Sequence, residues 1–396
     1  MILLLVTAPA LLWAVTEKKL RAYSVTGPIL MTALGATIGS LSSDTAEGFN
    51  SHTALTVAEI ILALLLFTDA IDVRGSLRSH LQPVPVRLLA IALPLSLILV
   101  LAVGLMLPFQ LSAAAVLAIA CIAIPADFSP ETSLVRNRLI PERVRSWLAI
   151  ESGYNDGLVT PLLLASLALS ATSPDKGTQV VTAFLDAAPA GVIAVGVGAA
   201  VGSLLGLLFR TALRHEWAGS QSIRIGILVV PVFTFAVAVA VHGNGFVAAF
   251  VCGIAFRIAL GEFDDAADHF RLTEDVTEFV NLLLWLAFGV AAVTLIGNSF
   301  SWWPAAVLAI FALTIGRALP VAVALIGTDT SRRDRLFMAL MGPRGAASIV
   351  FGLIAYNSLP KHDGYPVLVA TCFVVLGSLL LHGVAATWLT PRVYRR

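Results

Sequence analysis

This sequence predicts an all-α polytopic membrane protein of about thirteen transmembrane helices, and three observations carry the prediction. Of 396 residues, 58% are hydrophobic and 12% charged, with a mean hydropathy of +0.91, whereas a water-solvated domain usually carries about 25% charged residues. Apolar stretches near the ~20 residues that cross a hydrocarbon core recur almost from end to end, and the connections are too short to hold a soluble domain. The basic residues fall in every second connection. A net charge of +1 points to neither nucleic acid nor an acidic partner. Cys121, Cys252 and Cys372 stand far apart inside apolar stretches, which excludes a disulfide framework and a sequence-local metal site.

The first apolar stretch, near 1–15, has no positive segment before it; Lys18, Lys19 and Arg21 follow it instead. It therefore reads as a membrane span with its N terminus outside, not as a signal peptide. Spans near 27–41 and 53–73 come next, joined by SSDTAEGFNSH, which holds Asp44 and Glu47 but no Lys or Arg and reads as external. The remaining spans centre on 86–107, 112–135, 145–172, 187–210, 223–242, 244–260, 277–297, 302–327, 336–357 and 366–390. Between the ninth and tenth, GEFDDAADHFRLTED near 261–275 reads as an interfacial helix on the cytoplasmic side or as a solvated linker. With this threading, 21 of the 25 basic residues lie in cytoplasmic connections; Lys176 and Lys361 lie outside, and Arg317 and Arg344 fall within spans. The C terminus is then cytoplasmic. Arginine outnumbers lysine by 21 to 4, which suggests a GC-rich prokaryote and the cell membrane as the address.

A charge at mid-membrane costs several kcal/mol, so each one needs a purpose. In the fifth span, Pro125, Asp127 and Pro130 interrupt an apolar helix. A proline removes a backbone donor and disturbs the preceding turn, which leaves carbonyls beside a carboxylate, the hard oxygen ligands of a small monovalent cation. The plainer reading is a short loop that ends the span. The sixth span, SWLAIESGYNDGLVTPLLL, carries Glu151, Ser152, Asn155 and Asp156 on its first turns. Helix positions i and i+4 share a face, so Ser152 lies under Asp156 and Glu151 under Asn155. Asp156 falls near the bilayer centre, where it holds a proton or a cation, unless an intramembrane arginine pairs with it permanently. In the twelfth span, Gly342, Pro343 and Gly345 loosen the helix around Arg344. The anion for Arg344 is Asp69, Glu151 or Glu59; Arg317 pairs with one of the same residues or snorkels to the cytoplasmic interface. Arg344 is assigned a structural role.

The two interrupted spans stand seven apart. Two six-helix units of opposite topology joined by one helix explain that spacing: residues 1–172 as the first repeat with the cation site, 187–210 as the linker and 223–396 as the second repeat. Unwound helices of inverted repeats meeting near the midplane point to the binding site of a secondary transporter. All of 1–396 then forms one transporter domain.

The run PERVRSWLAIESGYNDGL at 141–158 resembles the NhaP- and NHE-type cation/proton antiporters, in which a basic turn precedes a Glu-Ser-x-x-Asn-Asp helix. GPRGAAS is similar to the family's Gly-x-Arg-Gly-Ala-x-Ser motif, and GFVAAFVCGI to the middle of its fold. The spacing back to Asp127 matches a Thr-Asp-Pro motif, which here reads Ala126-Asp127-Phe128, with prolines displaced to 125 and 130. The resemblance implies the NhaA-like antiporter fold and exchange of Na⁺, or of Li⁺ or K⁺, for H⁺. It implies Asp156 as the alternating carrier, Ser152 and Asp127 as further cation ligands, and Asn155 as the residue that positions the break. It also implies a homodimer in the lipid bilayer, no cofactor, and the electroneutral branch, in which Asn precedes the Asp.

The rival classes are an intramembrane enzyme and a channel or Na⁺-coupled symporter of similar build. The chain has no HExxH, no Gly-x-Gly-Asp at either aspartate and no Ser/His pair at one depth, so the enzyme is set aside. A channel or symporter would pass the cation without obligatory proton counterflow.

Overall fold

The computed structural model describes residues 2–41, 52–72, 82–108, 111–128, 139–171, 178–261, 266–296, 302–383, 390 and 392–394. Among these the chain is helical: α1 (Ile2–Ala22), α2 (Gly27–Leu41), α3 (His52–Asp72), α4 (Pro83–Arg87), α5 (Leu93–Met106), α6 (Ala113–Ala123), α7 (Glu142–Ala171) and α8 (Thr178–Arg214). Then come α9 (Ser220–Ala240), α10 (Gly245–Leu260), α11 (Ala266–Ile296), α12 (Trp303–Leu313), α13 (Ile315–Ala324), α14 (Arg332–Leu340), α15 (Ala346–Ser358) and α16 (Lys361–Ser378). Two π-helical turns, Leu88–Ala92 and Leu379–Gly383, bridge α4 to α5 and extend α16. Among the described residues, six helical runs, Pro83–Met106, Pro189–Arg214, Ser220–Ala240, Asp268–Val293, Trp303–Ala324 and Lys361–Gly383, are long and apolar enough to cross a bilayer. The protein is a multi-pass membrane protein.

Of the polar segment read as an interfacial helix or a solvated linker, residues 266–275 form the first turns of α11, which runs unbroken for 31 residues. No proline occurs in it and its first glycine is Gly289, so nothing stops the helix where polarity changes. The eleventh apolar stretch, by contrast, breaks at Thr314 into α12 and α13.

The chain falls into two compact units interleaved in sequence: residues 1–55, 75–155 and 281–396 in one, and 56–74 and 156–280 in the other. In the second unit, Gly198, Gly202 and Gly206 of α8 face the carbonyls of Ala248, Cys252 and Phe256 of α10; a β-carbon at each would lie 2.5, 2.6 and 2.7 Å from those oxygens. Small residues let membrane helices approach to backbone contact, where dispersion replaces the missing hydrophobic drive. Phe67, Phe256 and Phe270 close this unit's core.

In the first unit, side chains tie helix ends together. Ser112 N-caps α6, accepting the Ala115 N–H at 3.1 Å, and donates its hydroxyl to Oδ2 of Asp363 on α16 at 2.5 Å. Ser331 caps α14 by accepting the Asp334 N–H at 3.0 Å. Asp334, itself buried, accepts from Arg143 Nη2 at 2.9 Å and from the Tyr394 hydroxyl at 3.0 Å. Tyr394 also packs edge-on against Phe337, so the described C-terminal residues are docked on the ends of α7 and α14. Burial and the neighbouring Asp334 carboxylate push the Tyr394 hydroxyl above its ordinary value of 10.0.

Candidate functional site

Two helices of the first unit stop short inside apolar sequence. After α6 the backbone is non-helical through 125–128, and between α14 and α15 it is non-helical through 341–345. Unwound backbone at membrane depth persists only where protein satisfies its polar groups, and here the two breaks satisfy each other. The Asp127 N–H donates to the Pro343 carbonyl at 2.8 Å. The Asp127 carboxylate accepts the Ala346 N–H at 3.2 Å, which places a negative charge at the N terminus of α15. In return, Arg344 Nε donates to the Ala123 carbonyl, the last residue of α6, and Nη1 donates to the Gly342 carbonyl at 2.6 Å. An anion at a helix N terminus and a cation at a C terminus are the stabilising placements for the helix dipole. Ser348 adds a third link, donating to the Ile122 carbonyl at 2.8 Å.

Helix α7 holds the first break from the side. Asn155 Nδ2 donates to the Ala126 carbonyl at 2.7 Å, and Ser152 Oγ accepts the Phe128 N–H at 3.2 Å. Ala126 and Phe128 are buried in a cluster with Val84, Trp147, Val321 and Phe337. Phe128 thus fills apolar space where the antiporter motif has proline. Pro125, Ala126, Gly342, Pro343 and Gly345 are all buried at the breaks, whereas Pro130 lies outside the described residues.

The charges sort as follows. Arg317 of α13 makes a two-pronged pair with Glu151 of α7, Nη1 to Oε1 at 2.8 Å and Nη2 to Oε2 at 3.1 Å, with side chains only 5% and 7% exposed. Its Nε donates to the Met341 carbonyl at 3.1 Å, at the edge of the second break. Glu151, one of the three anions open to Arg344, therefore belongs to Arg317, and Arg344 caps a helix end. Asp69, on α3, is half-buried in the second unit.

Asp156 follows Asn155 directly on the unbroken α7 and is 2% exposed; its carbonyl accepts the Thr160 hydroxyl at 2.6 Å. Within the second unit, a cavity of about 350 Å³ lies along α7 from Pro161 to Ala165, with Glu59, Asn244 and the rings of Phe235 and Phe246 in its wall. Among the described residues there is no cluster of three or more His, Cys, Asp or Glu side chains placed to hold a metal. Among the described residues near the breaks, Asp127 and Glu151 are buried and already engaged, and Asp156 is buried one residue after Asn155. Sequence reasoning reached Ser348 only as the last residue of GPRGAAS, with no role assigned, and did not find Ser378 or His382, nor which donors the Ala123 and Ala126 carbonyls accept. The signal for Ser378 and His382 was two polar residues four apart in an otherwise apolar run.

Two broken helices that compensate each other's end charges, the first held by Asn155 and Ser152 of α7, are the frame a secondary transporter builds at membrane depth. The family model described as "Sodium/hydrogen exchanger, transmembrane" matches residues 2–391, and the chain belongs to that family. Similar proteins include a Na⁺/H⁺ antiporter of Schizosaccharomyces pombe, 22% identical over 84% of this chain and 76% of that protein. A K⁺/H⁺ antiporter, NhaP, of Alkalimonas amylolytica is 25% identical over 83% of this chain and 56% of its own length. This chain thus spans little more than half of that relative. The fold is that of the sodium proton antiporter MjNhaP1 of Methanocaldococcus jannaschii, with a TM-score of 0.76 at 20% identity, covering 99% of this chain and 97% of that one.

Proposed function

We propose that this chain exchanges a monovalent cation, Na⁺ first, for H⁺ by alternating access, one for one. The observation that carries the reading is the burial of Asp156, one residue from the Asn155 that ties α7 to the first break. A carboxylate there is costly to leave ionised and alone, so in each facing state it takes either a proton or the cation, and only the occupied forms cross. Ser152, one turn below on the same helix face, and Asp127 complete the cation's oxygen shell, and Asn155 positions the break. Glu151 and Arg317 neutralise each other, so neither charge competes for cargo.

The finer architecture belongs to the same proposal: about thirteen spans, inverted repeats at 1–172 and 223–396 with 187–210 as the linker, and a homodimer. The N terminus lies outside and the C terminus in the cytoplasm of a prokaryotic cell membrane. K⁺ is the second reading for the cation, favoured by what the Alkalimonas relative is named for.

At one-for-one exchange the membrane potential drops out, and a pH difference of one unit, about 1.36 kcal/mol, sustains roughly a tenfold cation gradient. Two protons per cation would add about 2.3 kcal/mol per 100 mV. Reconstitution with an internal pH dye, adding Na⁺, Li⁺ or K⁺ with and without an imposed potential, tests all of this. Proton movement that follows the cation and ignores the potential is expected, and Asp156→Asn abolishes it while leaving the protein folded. Flux at the wild-type rate in that variant would overturn the reading; cation flux with no proton counterflow would point to a channel or symporter.

A further inference from the structure

Helix α16 is largely apolar, yet Ser378 and His382 stand one turn apart at its C-terminal end, where it passes into the π turn Leu379–Gly383. Single π turns within helices occur frequently at functional positions. Both side chains are 1% exposed. Ser378 Oγ accepts the main-chain N–H of Arg344 at 2.7 Å and lies 3.1 Å from His382 Nδ1. Through one hydroxyl, His382 thus reaches the main chain of the second break at Arg344.

The Arg344 N–H sits in non-helical backbone, so Ser378 supplies the acceptor that a helix would otherwise provide at membrane depth. The neighbouring Pro343 carbonyl holds the Asp127 N–H, and the Ala346 N–H holds the Asp127 carboxylate. The charges felt by the imidazole are the guanidiniums of Arg344 and Arg317, and neither accepts a hydrogen bond. The hydrogen bond that orients it is the one to Ser378.

We propose that His382 is a positioning residue for cation exchange: through Ser378 it fixes the Arg344 N–H and so the crossing on which the Asp127 carboxylate is aimed. This rests on the antiport reading above, with Asp127 among the cation's ligands. The side chain never meets the cargo. It sets affinity by holding the ligand frame still.

The test is a double-mutant cycle on the full chain in proteoliposomes, reading the cation KM and kcat per folded molecule. His382→Phe keeps the bulk but loses the bond, and is expected to raise KM about tenfold, the worth of one buried hydrogen bond, with kcat little changed. His382→Asn, whose amide stands where Nδ1 stood, restores most of the affinity. Ser378→Ala alone matches His382→Phe, and the double variant is no worse than either single one. Additive losses in the double variant, or a wild-type KM in His382→Phe or in Ser378→Ala, would overturn the positioning role. A lowered melting temperature with both kinetic constants unchanged would make the pair merely structural, which also overturns it. A wild-type chain that moves no protons against cation defeats the antiport reading and this proposal together. Wild-type exchange with uncoupled variants defeats this proposal alone.

Discussion

Glu151 and Arg317 illustrate what a buried charge pair asks of its neighbours. Each was costly to bury, and the two-pronged geometry compensates only while both are present. Arg317→Met or Glu151→Gln alone should therefore destabilise the fold by about 3–5 kcal/mol, read as a lost melting transition in detergent. The double variant should recover most of that, and a double variant as unstable as the singles would argue against a closed pair. The sequence left this pairing open among Asp69, Glu151 and Glu59 for a physical reason. LTIGRALP and GPRGAAS each present an arginine in an apolar run, and only the tertiary approach of α13 to α7 decides which carboxylate meets which guanidinium. The placement of Ser152, Asn155 and Asp156 was easier to read, because one helix and the i, i+4 spacing set it.

At the level of elements, the two breaks were legible from their punctuation. Pro125 and the Gly342, Pro343, Gly345 group fall where helix cannot continue. What the punctuation could not say is why glycine is required. A β-carbon on Gly345 would run into the Asp127 carboxylate, and one on Gly342 into the Arg317 guanidinium. Gly345→Ala should thus push Asp127 off the N terminus of α15 and cut exchange by at least tenfold, an effect of about 1.4 kcal/mol or more, typical of losing a helix cap. Exchange kinetics in proteoliposomes alongside a melting curve check it, and a fully active Gly345→Ala would show that the crossing tolerates a shift. The π turns carried no signature in sequence, since one extra residue in a turn leaves apolar composition unchanged. The length of α11 was misjudged because polarity was taken as a boundary, and a helix ends at a backbone obstacle, not at a change of solvent.

For the whole molecule, hydropathy was the strongest guide, because every lipid-facing turn must be apolar whatever the tertiary arrangement. The interleaving of the two compact units stayed hidden: a contiguous span carries no mark of which others it clusters with, and the division falls between Asn155 and Asp156, within one helix. The C-terminal residues offer a separate handle. The raised Tyr394 hydroxyl favours its protonated form in the fold, so its contribution is fully present below 10.0 and is lost as pH rises past that value. Alkaline unfolding of the wild type should therefore include a step that Tyr394→Phe lacks, followed by melting temperature across a pH series; identical profiles would mean that the tyrosine does not secure the tail.

The glycine ladder between α8 and α10 has a consequence of its own. With main-chain oxygens seated directly on bare α-carbons at three successive turns, there is no side chain to swivel and no slack to take up. Shear along that seam would drive all three carbonyls into their neighbours at once. Whatever slides or rocks while cargo crosses, these two helices must travel as a single beam, and the give in the machine has to come from elsewhere.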